Sequence, residues 1–220
     1  MKFQIFNQFP EVKIQIFNKE DDCKSDEEAA HRLGFEDIAK LEQIHGNVVH
    51  TVHKQPDTIL KGDSLITNVA DLALAIRFAD CQAFAVYAPK KHAVGLIHAG
   101  WRGIAAKAIT SFFEELKNKF EISQEETFVG GAPSICSKCA TFSDPEKELP
   151  THMHEFIKES GVDLVAAAQK ELHAVGVPKD HIEILPGCTK CGDGYFSARG
   201  GDNDRRNYLV AGITKPSRHP

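Results

Sequence analysis

The chain has 220 residues, 42% of them hydrophobic and 26% charged, ordinary proportions for a globular protein with enough apolar material for a sizeable core. Its net charge of −5 at pH 7 comes with scattered lysines and no basic face for nucleic acid. No apolar run reaches the ~18 residues that a membrane helix requires.

No Pro/Gly/Ser-rich linker interrupts residues 1–220, which read as a single domain. The N-terminus alternates polar and apolar residues and suggests two short strands, Phe3 to Phe6 and Val12 to Phe17, separated at Pro10. It shows no secretory signal pattern, so a cytoplasmic location is expected, and the six cysteines read as thiols or metal ligands rather than a disulfide framework. Ser25 followed by Glu28 is a capping-box signature for a helix through Ala29 and Leu33 that stops at Gly34. Leu41 to Val49 reads as a strand interrupted at His45-Gly46.

Gly62-Asp63-Ser64 punctuates the approach to Leu65-Ile66-Thr67, and Leu72 to Phe78 is a near-continuous buried strand ending in Ala79-Asp80-Cys81. Ala83 to Tyr87 and residues 92 to 97 are the next strands. The second runs into His98-Ala99-Gly100-Trp101-Arg102-Gly103. Two buried strands thus end at Cys81 and His98, and a rigid sheet holds functional groups well at such ends. Ile104, Ala108, Phe112, Phe113, Leu116 and Phe120 recur at helical spacing and predict one helix from Ile104 to Phe120. Thr127-Phe128-Val129 predicts a short strand, followed by Gly130-Gly131-Ala132-Pro133 as a loop that either offers backbone N–H groups to an anion or simply turns the chain. Asp163 caps a helix from Leu164 to Val175 that ends at Gly176 and Pro178. A strand from Ile182 to Leu185, a glycine-rich loop carrying Arg199, Arg205 and Arg206, and a strand from Tyr208 to Ile213 complete the chain.

Two groups of residues carry chemistry. His45, Cys81 and His98 are two imidazoles and a thiol at strand ends or bends, a ligand set that suits zinc with an open fourth position and that copper also accepts. Their separation along the chain leaves open whether they meet. Cys81 as a nucleophile with His98 or His45 as its base is a competing use of the same residues. The second group is Cys136-x-x-Cys139 with Cys188-x-x-Cys191, two pairs of the spacing used in four-cysteine zinc sites, or four reduced thiols.

Gln43-Ile44-His45-Gly46, Gly62-Asp63-Ser64-Leu65-Ile66-Thr67, Ala79-Asp80-Cys81, His98-Ala99-Gly100-Trp101-Arg102-Gly103 and Cys188-Thr189 with Phe196-Ser197 resemble, in that order, the YfiH-like family. That family is also labelled laccase-domain, polyphenol oxidase or purine nucleoside phosphorylase. The resemblance implies a mixed α/β (α+β) domain in which β-sheets pack together and are covered by helices, four layers in α/β/β/α order. It implies that His45, Cys81 and His98 converge on one metal, zinc or alternatively copper. It also implies purine nucleosides and phosphate as substrates, with phosphorolysis of adenosine, inosine, guanosine and methylthioadenosine and deamination of adenosine; copper-dependent polyphenol oxidation is the older label. Within such a site the catalytic candidates are His45, Asp80, Cys81, His98 and Arg102. Asp80 would move a proton or orient a ligating histidine, and Arg102, ahead of Arg77 and Arg206, would hold the anion. The chain departs from the family where Arg199 is followed by Gly200 and where Asp204-Arg205-Arg206 takes a later place.

Overall fold

The computed structural model describes residues 2–159 and 161–215. Its strands are β1 (Val12–Phe17), β2 (Asp37–Glu42), β3 (Val49–Thr51), β4 (Leu60–Lys61), β5 (Ser64–Thr67), β6 (Leu72–Phe78), β7 (Gln82–Ala88), β8 (Ala93–Ala99), β9 (Phe128–Gly131), β10 (Ile157–Lys158), β11 (Gly161–Val162), β12 (Ile182–Ile184) and β13 (Asn207–Ile213). Its helices are α1 (Asp26–Leu33), α2 (Trp101–Ala105), α3 (Ala108–Phe120), α4 (Pro145–Glu148) and α5 (Leu164–Val175). A five-stranded sheet runs in the order β1-β13-β6-β2-β4 and a six-stranded sheet in the order β12-β9-β7-β8-β5-β3, with β10 and β11 paired separately.

Side-chain alternation explains how the layers stack. Along β6, Leu72, Leu74, Ile76 and Phe78 face the core between the two sheets, shared with Ala83, Ala85 and Tyr87 of β7 and Val94 and Leu96 of β8. The intervening Ala73 and Ala75 lie in a second core with Ala29 and Ala30 of α1, where small side chains on both elements let the helix sit close. On the far side, Phe84 and Val86 of β7 and Ile97 of β8 meet Phe112, Phe113 and Leu116 of α3 and Ala168 and Leu172 of α5. The result is the expected mixed α+β domain, with α1, two sheets, and α3 with α5 as successive layers.

Local signals act as the sequence suggests in α1, where Ser25 Oγ accepts from the Glu28 N–H at 3.1 Å and Gly34 closes the helix at φ 88°. The Asp163 side chain likewise accepts from the Ala166 N–H at 3.0 Å to start α5.

Four expectations are corrected. Phe3 to Phe6 is a turn, not a strand: the Phe3 and Phe6 rings meet edge to face at 5.6 Å and lie on β9, where a Cβ on Gly130 would stand 2.7 Å from Phe3. For the same reason Gly130-Gly131 lies inside β9 and makes room for rings instead of forming an anion loop. The strand expected over Leu41 to Val49 is broken more widely, β2 ending at Glu42 and β3 starting at Val49. Ile104 to Phe120 is divided between α2 and α3 at Lys107, whose φ is 63°.

Candidate functional site

Three connections meet at one end of the sandwich. His45 lies in the loop between β2 and β3, Cys81 on the crossing from β6 in one sheet to β7 in the other, and His98 at the end of β8. His98 continues the inward-facing series of Val94 and Leu96, so strand alternation aims its ring between the sheets. The donor atoms of His45, Cys81 and His98 all lie within 4.8 Å of one another. Burial is graded across the group: His98 is buried, Cys81 half-buried and His45 exposed, which leaves access from the His45 side.

Asp63 builds this cluster. Its carboxylate is fully buried; Oδ1 accepts from the His45 N–H at 2.8 Å and lies 3.0 Å from His98 Nδ1, while Oδ2 accepts from the Gly46 N–H at 2.7 Å. One carboxylate therefore fixes the His45 backbone, held at φ 59°, and orients the His98 ring through Nδ1, which turns Nε2 toward the cluster. Hydrogen bonds from His98 and these amides hold the Asp63 carboxyl below the usual range despite burial. Burial raises the Cys81 thiol, but His45 and His98 override it and bring it down to about 6. Burial lowers the His98 imidazole, and Asp63 and Cys81 reverse that, lifting it to about 9.

The glycines of the His98–Gly103 segment serve close approach. A Cβ on Gly100 would stand 2.8 Å from Cys81 Sγ and 3.4 Å from the His45 ring, and one on Gly103 would stand 3.1 Å from the Gly46 carbonyl. Gln43 extends the β2–β6 pairing with its side chain, donating to the Arg77 carbonyl at 2.8 Å and accepting from the Arg77 N–H at 2.9 Å, and so anchors the His45 loop.

Asp80 is placed differently from the expectation that it orients a histidine. At φ 88°, its Oδ1 accepts from Thr189 Oγ1 at 2.7 Å and Ser197 Oγ at 2.6 Å, and its Oδ2 from the Arg199 N–H at 2.7 Å. It ties the loops that follow β12 to the residue beside Cys81. Arg102 is exposed, with its guanidinium 4.3 Å from the centre of the Trp101 ring. A cleft of about 400 Å³ opens beside the cluster, lined by His45, Cys81 and His98 together with Glu42, Arg77 and Arg206. Arg102 is not among its lining residues. Arg206 is braced by the carbonyls of Asp202, Asn203 and Arg205, at 3.1, 2.8 and 2.8 Å.

Asp63 and Gln43 thus carry roles that sequence reading left unassigned. The available signal was an aspartate just ahead of the buried run Ser64–Thr67, where a charge is retained only if it is fully hydrogen-bonded. The sole His-x-His pair, His152 and His154, lies elsewhere, with His154 Nε2 on the Leu149 carbonyl at 3.0 Å.

A family model described as multi-copper polyphenol oxidoreductase laccase matches residues 18–212. The chain is 30% identical over 192 residues to the purine nucleoside phosphorylase YlmD of Geobacillus stearothermophilus, covering 78% of this chain and 70% of that protein. It is 27% identical over 158 residues to adenosine deaminase RL5 from an unknown prokaryotic organism, covering 66% of this chain and 60% of that one. The crystal structure of the Bacillus licheniformis hypothetical protein YfiH superposes with a TM-score of 0.75 at 27% identity, over 86% of this chain and 79% of that one.

Proposed function

This chain belongs to the multi-copper polyphenol oxidoreductase laccase family, and we propose that it works there as a single-metal enzyme on purine nucleosides, splitting them with phosphate and deaminating adenosine. The observation that carries the reading is the convergence of two imidazoles and a thiol within 4.8 Å, open on one side to the cleft that Arg206 also lines. The names of the relatives support the substrate class. Among the described residues the possible metal-binding groups are this one and a four-cysteine group, neither with more than two histidines, which favours one catalytic ion over a multicopper array.

The donor set fits zinc. Three protein ligands leave a coordination position open, and zinc held this way supplies a Lewis acid and a bound water of lowered pKa. The chain's own residues supply the rest. Asp63 presents His98 Nε2 and holds the His45 loop, and the lowered thiol makes Cys81 a thiolate at neutral pH without a separate base. The braced Arg206 is the cation on the cleft wall best suited to hold phosphate and offset its charge, because Arg77, on the face of β6 turned toward α1, is paired through Nε with Asp26 Oδ2 at 3.8 Å. Arg102, stacked on Trp101, supports the loop rather than the anion. Glu42 and Asp204 are the cleft carboxylates available to move a proton in deamination. Asp80, with both oxygens engaged, positions Cys81. Copper is the second ion that two imidazoles and a thiolate accept.

The test offers adenosine, with and without phosphate, to zinc-loaded protein and separates the products by chromatography. Adenine with ribose 1-phosphate is expected in the presence of phosphate, and inosine in its absence. Cys81→Ala and His98→Ala should lose the ion and the activity together, and Asp63→Asn should bind it roughly 10–100-fold more weakly. No product from either reaction, or faster oxidation of a phenol by copper-loaded protein, would overturn the proposal.

A further inference from the structure

The two Cys-x-x-Cys pairs meet. Strands β9 and β12 are parallel neighbours, with Val129, Gly130 and Gly131 opposite Ile182, Glu183 and Ile184, so both chains leave the sheet at the same end. The pairing continues beyond the strands through the bridge of Ser134 with Cys188 and a bond from the Thr189 N–H to the Ser134 carbonyl at 3.2 Å. The long interval between the pairs is occupied by α4, β10, β11 and α5, which carry the chain back to β12.

Each pair is wound into a tight turn. The Cys139 and Ala140 N–H groups donate to the Cys136 carbonyl at 3.0 and 2.9 Å, and the Gly192 N–H donates to the Cys188 carbonyl at 2.9 Å. A Cβ on Gly192 would stand 2.6 Å from that carbonyl, so the second turn requires a glycine directly after its last cysteine. The four sulfurs lie within 4.8 Å of one another, with Cys136 Sγ and Cys191 Sγ 3.9 Å apart. A tetrahedral zinc with bonds of ~2.3 Å needs sulfurs about 3.8 Å apart. The Cys136 N–H also points at Cys188 Sγ, at 3.2 Å, a bond that favours a charged sulfur.

We propose that Cys136, Cys139, Cys188 and Cys191 form a second, structural zinc site that is separate from the His45, Cys81 and His98 group. The four thiols give up their protons as the ion binds, and the closed four-sulfur shell leaves no position for substrate. The ion fastens the segment after β9 to the segment after β12. Thr189, next to Cys188, then holds Asp80 Oδ1, so this clasp stands behind the turn that carries Cys81. Four thiolates in tetrahedral array select zinc or iron, and the two are told apart directly because only iron would colour the protein.

The experiment measures zinc, iron and free thiols in protein purified without chelators, for the wild type, Cys81→Ala, Cys191→Ser and the double variant. About two zinc ions per chain are expected in the wild type, about one in each single variant and none in the double variant. Cobalt bound to Cys81→Ala should show the intense thiolate-to-metal absorption of a four-sulfur site, a readout that does not depend on Cys191→Ser folding. Cys81→Ala protein without zinc, with iron in its place, or with these cysteines joined as disulfides would overturn the proposal. Because the Cys81→Ala protein lacks the first site, failure of the second proposal is read separately from failure of the catalytic one.

Discussion

Cys81 and His98 behave as one electrical unit. The thiol is held down at about 6 by the two imidazoles against the effect of burial, and His98 is held up at about 9 by Asp63 and Cys81. The signs are opposite. The Cys81 shift stabilises the fold fully above its ordinary value near 9 and is lost as pH falls through about 6; the His98 shift stabilises fully below 6.5 and is lost as pH rises through about 9. Between those limits the metal-free pair is thiolate and imidazolium. Alkylation of Cys81 in metal-free protein, followed by mass spectrometry of its peptide, should therefore reach half its plateau rate near pH 6, and in denaturant near 9. Added zinc should protect the thiol. A folded-state midpoint near 9 would mean that the imidazoles do not act on Cys81.

At the scale of elements, the break between α2 and α3 shows what hydrophobic spacing can and cannot reveal. Ile104, Ala108 and Phe112 are all buried, so the apolar stripe runs through the break unaltered. A periodic pattern records which face is buried, not whether the backbone is continuous. The cause lies in α5, where Glu171 accepts from the Thr110 N–H at 2.9 Å and from Thr110 Oγ1 at 2.8 Å, capping a new helix start. Lys107 is left in the left-handed region at φ 63°. Lys107→Gly should raise stability by about 0.5–1 kcal/mol, or about 2–4 °C in Tm per kcal/mol for a chain of this size. Ala106→Gly, at the ordinary φ of −87°, should instead lower it. A fall in Tm for Lys107→Gly would show that the lysine side chain outweighs the strain. The same limit applied elsewhere. Strands β6, β7 and β8 were legible because both faces are buried, and the ends of α1 and α5 because their caps are local. The turn at Phe3 to Phe6 was not, since alternation fits a strand equally well and only the rings packed on β9 decide. Cys81, His98 and both cysteine pairs could be picked out by residue type. Asp63 could not, because its value lies in three partners from distant segments, and the difference between Arg102 and Arg206 lies in which one faces the cleft.

For the whole molecule, the decisive feature is that the candidate site draws on both sheets. His45 follows a strand of the five-stranded sheet, His98 ends a strand of the six-stranded one, and Cys81 sits on the crossing between them. An ion held by all three straps the sheets together at one rim, while the core between the sheets holds them along their length. These two attachments share no side chain, so their effects should add. With the four-cysteine site already filled, zinc at about 100 times its Kd for the rim site should add about 2.7 kcal/mol to the stability of the wild type, and Cys81→Ala filled in the same way should lack that gain. Leu74→Ala, which opens a cavity in the fully buried inter-sheet core, should cost roughly 2–5 kcal/mol with or without the ion. Its zinc-induced gain should stay within about 0.5 kcal/mol of the wild-type value. Denaturant unfolding of the four combinations measures both terms. If Leu74→Ala abolished the zinc gain, the core would be what sets the spacing of the three ligands, and the rim could not be treated as a separate attachment.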